Sequence, residues 1–231
     1  PTDPADAEPL WIDLDAAARQ AGRLLEGSAE EVLPALRIAG GSPGGARPKV
    51  RVGVHDDGHL VAGTSELPAG YRHYLVKFPA REDPPDVGAV EAAYALMARE
   101  AGLLVPGSRL FETRDGGRYF GAERFDRVGD LRLHMHTLGG VLHASHRLPS
   151  LEYEGLLKAT MLLAKDHRQV EEAFRRMAFN AFAHNRDDHV KNVSYLLDRS
   201  GAWRLAPAYD LVFSEGPGGQ HSMAVAGEAV R

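Results

Sequence analysis

The segment Asn185-Arg186-Asp187-Asp188-His189-Val190-Lys191-Asn192 concentrates the side chains best able to do chemistry. Asp187 and Asn192 have four residues between them, and a further acid, Asp210, follows in Ala208-Tyr209-Asp210-Leu211. Phosphoryl transfer needs such a set. One carboxylate orients the attacking hydroxyl, while an amide oxygen and a second carboxylate hold Mg²⁺ on the phosphates. A polar turn between a helix and a hairpin would read the same over this stretch alone, so the elements upstream decide.

The Asp-x4-Asn spacing is that of a protein-kinase catalytic loop, and Asp210 falls where a kinase places its second metal-binding carboxylate. Upstream, Gly40-Gly41-Ser42-Pro43-Gly44-Gly45-Ala46-Arg47-Pro48-Lys49 precedes the alternating run Val50-Arg51-Val52-Gly53-Val54. Glycines let backbone N–H groups approach phosphates, so Gly44, Gly45 and Ala46 are candidates for a cradle. Arg47 and Lys49 add positive charge. The loop matches neither Gly-x-Gly-x-x-Gly nor the Walker pattern. A flexible turn before a strand is the competing reading.

Residues 74–78 read as a buried strand carrying Lys77. An ammonium among apolar neighbours is costly unless paired; the alternative is an edge strand whose Lys reaches solvent. Residues 87–102 read as a helix with Val90, Ala93, Tyr94, Met97 and Ala101 along its packed face. Glu91 lies in its first turn, where the helix dipole favours an acid, and is the natural partner for Lys77. Residues 109–112 and 118–125 form a hairpin around Asp115-Gly116-Gly117. Glu123-Arg124-Phe125-Asp126-Arg127 leads out of it, at the position of a kinase hinge, which makes Glu123 and Phe125 candidate nucleotide neighbours. Helices are predicted over 151–167 and 169–184; the second, with Val170, Phe174, Met177, Ala178, Ala181 and Phe182 as core face, delivers the chain to Asn185.

The rest of the chain is quieter. Residues 13–26 and 30–36 read as helices that pack without carrying chemistry, and Asp56-Asp57-Gly58 reads as a hairpin turn. His134, His136, His143 and His146 lack an accompanying acid or Cys at a ligand spacing, so they read as surface residues. With 231 residues and 44% hydrophobic content the chain can build one large domain or two lobes. A net charge of −5 gives no electrostatic case for binding nucleic acid or a membrane surface. Absence of Cys excludes disulfides and thiolate metal sites and suits a cytoplasmic location. No apolar run approaches the roughly 18 residues of a membrane span. The first residue is Pro1 and the last is Arg231, and a fragment of a longer protein is expected.

Taken together, the Gly-rich loop with Ser42, Tyr74-Leu75-Val76-Lys77, Glu123-Arg124-Phe125-Asp126-Arg127, the Asp187–Asn192 stretch and Asp210 resemble the HipA-type kinases, toxins of HipBA-type toxin–antitoxin systems. The YjjJ-like branch is the nearest match, and the resemblance spans residues 40–225. It implies an α+β, protein-kinase-like two-lobed fold, with an antiparallel sheet in a mixed N-lobe and a mainly helical C-lobe. Residues 1–39 would form an N-terminal helical segment, 40–127 the N-lobe with Gly-rich loop and hinge, and 128–231 a truncated C-lobe with the catalytic loop. It implies ATP and Mg²⁺ as cofactors, with Asp187 as base, Asn192 and Asp210 as metal ligands, and Lys77 as phosphate anchor paired with Glu91. His189 and Lys191 would steady the loop or touch phosphate. The implied activity is Ser/Thr phosphorylation, on aminoacyl-tRNA synthetases in studied members, with autophosphorylation at Ser42. The implied partner is a helix-turn-helix antitoxin, with DNA contacted only indirectly or through an N-terminal segment absent here, and no membrane. The chain departs from the family pattern in its short segment before residue 40, in lacking much of the helical lobe expected after Asp210, and in Pro43, which stiffens the loop. Two other readings stay open: a non-catalytic kinase-fold module that binds an antitoxin or DNA-bound partner, and a metal-dependent hydrolase or nuclease using Asp187, Asp188, His189 and Asp210. The complete set Lys77, Asp187, Asn192 and Asp210 favours the enzyme over a degenerate kinase.

Overall fold

The computed structural model describes residues 11–25, 47–62, 66–129, 131–144, 151–225 and 227. Residues 30–36 and the loop bearing Ser42, Gly44, Gly45 and Ala46 lie outside them, as does His146. The chain divides into two compact units, one formed by Pro1–Ala92 with Gly107–Leu131 and the other by Ala93–Pro106 with Arg132–Arg231.

The first unit is built on β1 (Lys49–His55), β2 (Leu60–Ala62), β3 (Tyr71–Lys77), β4 (Ser108–Glu112) and β5 (Arg118–Glu123), in the order β2-β1-β3-β5-β4. All the pairings are antiparallel. Alternation dictates the faces. Val50, Val52 and Val54 of β1 and Tyr74 and Val76 of β3 join one core, which helix α1 (Leu14–Leu25) caps through Leu14 and Ala17. Asp15 of that helix is buried, and it accepts hydrogen bonds from Thr113 Oγ1 (2.7 Å) and Tyr119 Oη (2.9 Å). Burial and the Asp15 carboxylate push the Tyr119 phenol up to about 12, which keeps it a donor.

Lys77, next to Val76, is sent to the opposite face of the sheet. β3 is the central strand, so the edge-strand alternative for Lys77 does not apply. Helix α2 (Val87–Glu100) begins here, so close to β5 that a Cβ on Gly88 would lie 2.2 Å from the Arg118 carbonyl oxygen. That approach decides which side of α2 is buried. Val87, Gly88, Glu91, Ala95 and Ala98 face inward. The expected stripe is corrected accordingly: Tyr94 joins an apolar cluster of the second unit, but Ala93, Met97 and Ala101 are exposed. Small residues fit the narrow gap, and the long Leu96 and Met97 point outward.

A short ribbon of β6 (Arg127–Val128) and β7 (Leu131–Arg132) leads on. The second unit then contains β8 (His134–Thr137), α3 (Leu138–Leu142), α4 (Tyr153–Ala164), α5 (His167–Phe182), β9 (Ser194–Leu197) and β10 (Trp203–Leu205), with a three-stranded sheet in the order β10-β9-β8. Its core holds Leu138, Tyr153, Leu156, Ala173, Val190, Tyr195 and Met223. A smaller cluster of Ala98, Leu103, Phe179, Ala208 and Leu211 packs the last turns of α2 against α5. The expected core face of α5 is also corrected. Ala173, Arg176, Phe179 and Asn180 are buried, whereas Phe174 is 53% and Phe182 88% exposed. Polar side chains occupy the inner face because each finds a partner there. Arg176 donates twice to Glu172 Oε1 (3.1 Å each), one turn earlier. No described helix is long and apolar enough to cross a membrane.

Candidate active site

In the first unit a cationic patch forms where β1 starts and β3 ends. Lys77 Nζ donates to Glu91 Oε1, with the Lys side chain 13% and the Glu side chain 3% exposed. Arg47 Nη1 lies 3.9 Å from the other Glu91 oxygen and forks onto Asp83 at 2.9 and 3.0 Å. Lys49 stands directly opposite Lys77 in the β1–β3 ladder. Like charges in facing positions repel. Glu91 and Asp83 offset part of this charge, and three cations gathered at one end of two paired strands suit a polyanionic ligand. Lys77 also lies 5.8 Å from the centroid of the Phe120 ring.

Of the two expected hinge residues, Glu123 is tied to this unit by its backbone N–H, which donates to Gly107 O (2.7 Å), and by Arg72 (3.3 Å). Phe125 lies in a turn braced by its neighbours. Arg124 forks onto Asp126 (2.9 and 2.6 Å) and Arg127 Nη1 meets the same carboxylate at 2.6 Å. Burial raises the Asp126 carboxyl, yet these two guanidiniums outweigh it and hold it below its ordinary value.

In the second unit the Asp187–Asn192 loop leaves α5 through His184, whose φ is +53°. Asn185 N–H then returns to Asn180 O (3.0 Å), and Asn185 Nδ2 donates to Asn180 Oδ1 (2.9 Å). Two adjacent acids part here. The Asp187 side chain is 58% exposed, and that of Asp188 is fully buried at 0%. Asp188 Oδ2 accepts from Tyr153 Oη (2.5 Å) and the His221 ring (Nδ1, 2.9 Å), and its Oδ1 accepts from Ser222 N–H (2.7 Å). Burial, followed by the Asp188 charge, raises the Tyr153 phenol well above its ordinary value, so it stays a donor. Ser222 Oγ donates to Arg186 O (3.0 Å), and Gly139 N–H to Val190 O (2.9 Å). The loop is therefore held from within on both sides of Asp187.

Asn192 Nδ2 donates to the Asp187 carbonyl (2.7 Å), which turns Oδ1 of Asn192 away from that bond. His189 Nε2 lies 3.8 Å from Asp187 Oδ1. Tyr209 Oη donates to Lys191 O (2.7 Å) and lies 2.6 Å from Ser194 Oγ. That one phenol links the neighbour of Asn192 to the neighbour of Asp210. Burial pushes it up to about 12 despite the Ser194 contact. Asp210 has φ +54°, a left-handed conformation that Asp tolerates better than most residues. An amide oxygen and a carboxylate on so braced a frame suit a hard, oxygen-seeking cation such as Mg²⁺, which draws its other ligands from water and phosphate. Tyr153, Asp188, Tyr209, His221 and Ser222 were missed as positioning residues. The sequence signal for Asp188 and Tyr209 is their place in the two motifs, beside Asp187 and Asp210; Tyr153, His221 and Ser222 carry none.

The fold and these two clusters define a protein-kinase-like α+β architecture with antiparallel sheets. The family model of the HipA-like C-terminal domain matches residues 41–231, and the chain belongs to that family. A solved structure of HipA from Shewanella oneidensis MR-1, in a toxin–antitoxin complex with HipB and operator DNA, superposes with a TM-score of 0.69 at 18% identity. That match covers 97% of this chain and 55% of the other. A curated Haemophilus influenzae protein described as "Putative kinase" is 27% identical over 154 residues, 61% of this chain and 45% of that protein. The chain thus spans about half the length of these relatives.

Proposed function

We propose that this chain carries the catalytic elements of an ATP- and Mg²⁺-dependent Ser/Thr protein kinase of the HipA toxin type. The observation that carries the reading is the pair of part-buried Lys77 and buried Glu91 on a central strand and its packed helix. An ammonium fixed there suits the α/β-phosphates of a nucleotide. Lys49, together with Gly44, Gly45 and Ala46, would complete the phosphate cradle, with Glu123 and Phe125 toward the base. In this reading residues 40–127 serve the nucleotide and 128–231 the acceptor. Asp187 accepts the proton of the attacking hydroxyl. Asn192 and Asp210 hold Mg²⁺, which neutralises charge developing on the phosphates. His189 and Lys191 steady the loop.

The acceptor is a protein hydroxyl, with an aminoacyl-tRNA synthetase as the class the resemblance suggests. Ser42 is the proposed autophosphorylation site. A phosphate there adds roughly −1.5 to −2 charge beside the nucleotide phosphates and would switch the enzyme off. A helix-turn-helix antitoxin is the proposed partner, in line with the HipB complex of the Shewanella relative. The test is incubation with Mg·ATP, reading ADP release and phosphoserine by mass spectrometry. ADP with phosphate on Ser42, and neither with Asp187→Asn, is the expected result. Nucleotide binding without any turnover would favour a regulatory module instead.

A further inference from the structure

The turn between β1 and β2 brings together three metal-ligating side chains unconnected with phosphoryl transfer. His55 ends β1, Asp57 lies in the turn and His59 precedes β2. His55 Nδ1 is 2.8 Å from Asp57 Oδ1, and His59 Nδ1 is 2.8 Å from Asp57 Oδ2. One ligating atom from each residue falls within 4.8 Å of the others. The rings are steered from outside. His55 lies against Gly70, where a Cβ would come within 2.8 Å of Nε2, and beside Tyr71 (5.0 Å between centroids). His59 stands edge-on to Trp11 at 5.2 Å. The neighbouring Asp56 is taken by Arg72 (2.8 Å).

Two ring N–H donors on one carboxylate would be the simplest explanation. It meets a conflict at His55. The Asp57 backbone N–H also approaches His55 Nδ1, at 3.4 Å. A ring nitrogen cannot donate to the carboxylate and accept from an N–H in the same tautomer. The Asp57 carboxylate also accepts the His59 backbone N–H at 3.0 Å, which holds the turn closed around the three side chains.

We propose that His55, Asp57 and His59 form a binding site for a divalent transition cation, with Zn²⁺ as its type, at the tip of this hairpin. Two imidazoles and a carboxylate are ordinary zinc ligands, and water completes the tetrahedron. Bonds of about 2.0–2.1 Å set tetrahedral ligand atoms about 3.3 Å apart. Each ring-to-carboxylate gap of 2.8 Å therefore opens by about half an ångström, and the two imidazole nitrogens, within 4.8 Å of each other, settle to the same spacing, which surface side chains allow. The site lies at the end of β1 remote from Lys49, about 20 Å away at roughly 3.3 Å per residue. A bound ion would clamp the turn between its two strands and leave the nucleotide residues untouched.

The test is calorimetric titration of the metal-free chain with Zn²⁺, with Co²⁺ absorption to report geometry. The expected result is one ion per chain in tetrahedral coordination. Losing even a side chain that only hydrogen-bonds to a metal ligand costs about 10–100-fold in affinity, so His59→Ala and Asp57→Asn should each weaken binding by at least about tenfold. His167→Ala, an exposed histidine of α5, should not. In a Trp203→Phe background Zn²⁺ should change Trp11 emission, and His59→Ala should abolish that change. Absence of stoichiometric binding, or affinity unchanged by His59→Ala and Asp57→Asn, would overturn the site.

Discussion

The two units bury charge in opposite ways. In the first, Glu91 is held by cations: Lys77 in contact and Arg47 at 3.9 Å. In the second, the buried carboxylate of Asp188 is held by a phenol, a histidine ring and a backbone N–H. The first arrangement keeps strong cations at a surface where a ligand's negative charge could compete for them. The second leaves no such charge on offer. It only fixes the chain, and it fixes the residue next to the proposed base. The proposed site for phosphate and the frame of the proposed catalytic loop call for these two different solutions.

The largest expected effect separates Asp187 from Asp188. Asp187→Asn should lower phosphoryl transfer by about 10²–10⁴-fold, the usual span for a lost general base, while nucleotide affinity and stability barely change. Asp188→Ala should act through the fold instead. Its buried partners lose their acceptor together, and urea unfolding should report a loss of about 3–5 kcal/mol. Near-normal turnover in Asp187→Asn, or unaltered stability in Asp188→Ala, would erase the distinction.

The first unit offers a sharper contrast. Glu91→Ala takes the contacting carboxylate from the part-buried Lys77 ammonium and should cost about 1–3 kcal/mol. The double variant Lys77→Met/Glu91→Leu replaces the pair by apolar groups and should regain most of that stability, because a buried ion pair is seldom better than a packed hydrophobic one. Nucleotide binding, measured by calorimetry, should stay lost in both. If the double variant binds Mg·ATP normally, Lys77 is a structural residue.

Tyr209→Phe should have the smallest effect. It removes the hydroxyl that reaches Lys191 O and Ser194, worth about 1–2 kcal/mol of stability. Its diagnostic consequence is a weaker Mg²⁺ dependence of nucleotide binding, in the same direction as Asp210→Ala but smaller. An unchanged metal dependence would mean that the Tyr209 link does not align Asn192 with Asp210.

The amino-acid sequence by itself determined the local patterns. Val50, Val52 and Val54 alternate, so β1 was legible as a half-buried strand. Lys77 among apolar neighbours demanded a partner, and Glu91 in the following helix was the nearest acid. Asp187-x4-Asn192 stands out in the sequence because its spacing fits the chemistry proposed for it. Tertiary structure decided the rest. Helix α5 has apolar residues on more than one side, and periodicity cannot rank two stripes. Phe174 and Phe182 were expected inside, yet Arg176 and Asn180 took the inner face. Asp187 and Asp188 are identical in type and adjacent in sequence. What turns one outward and buries the other is Tyr153, His221 and Ser222, which lie 35, 33 and 34 residues from Asp188. Partners that distant leave no trace in local spacing, because only packing brings a donor to a buried carboxylate.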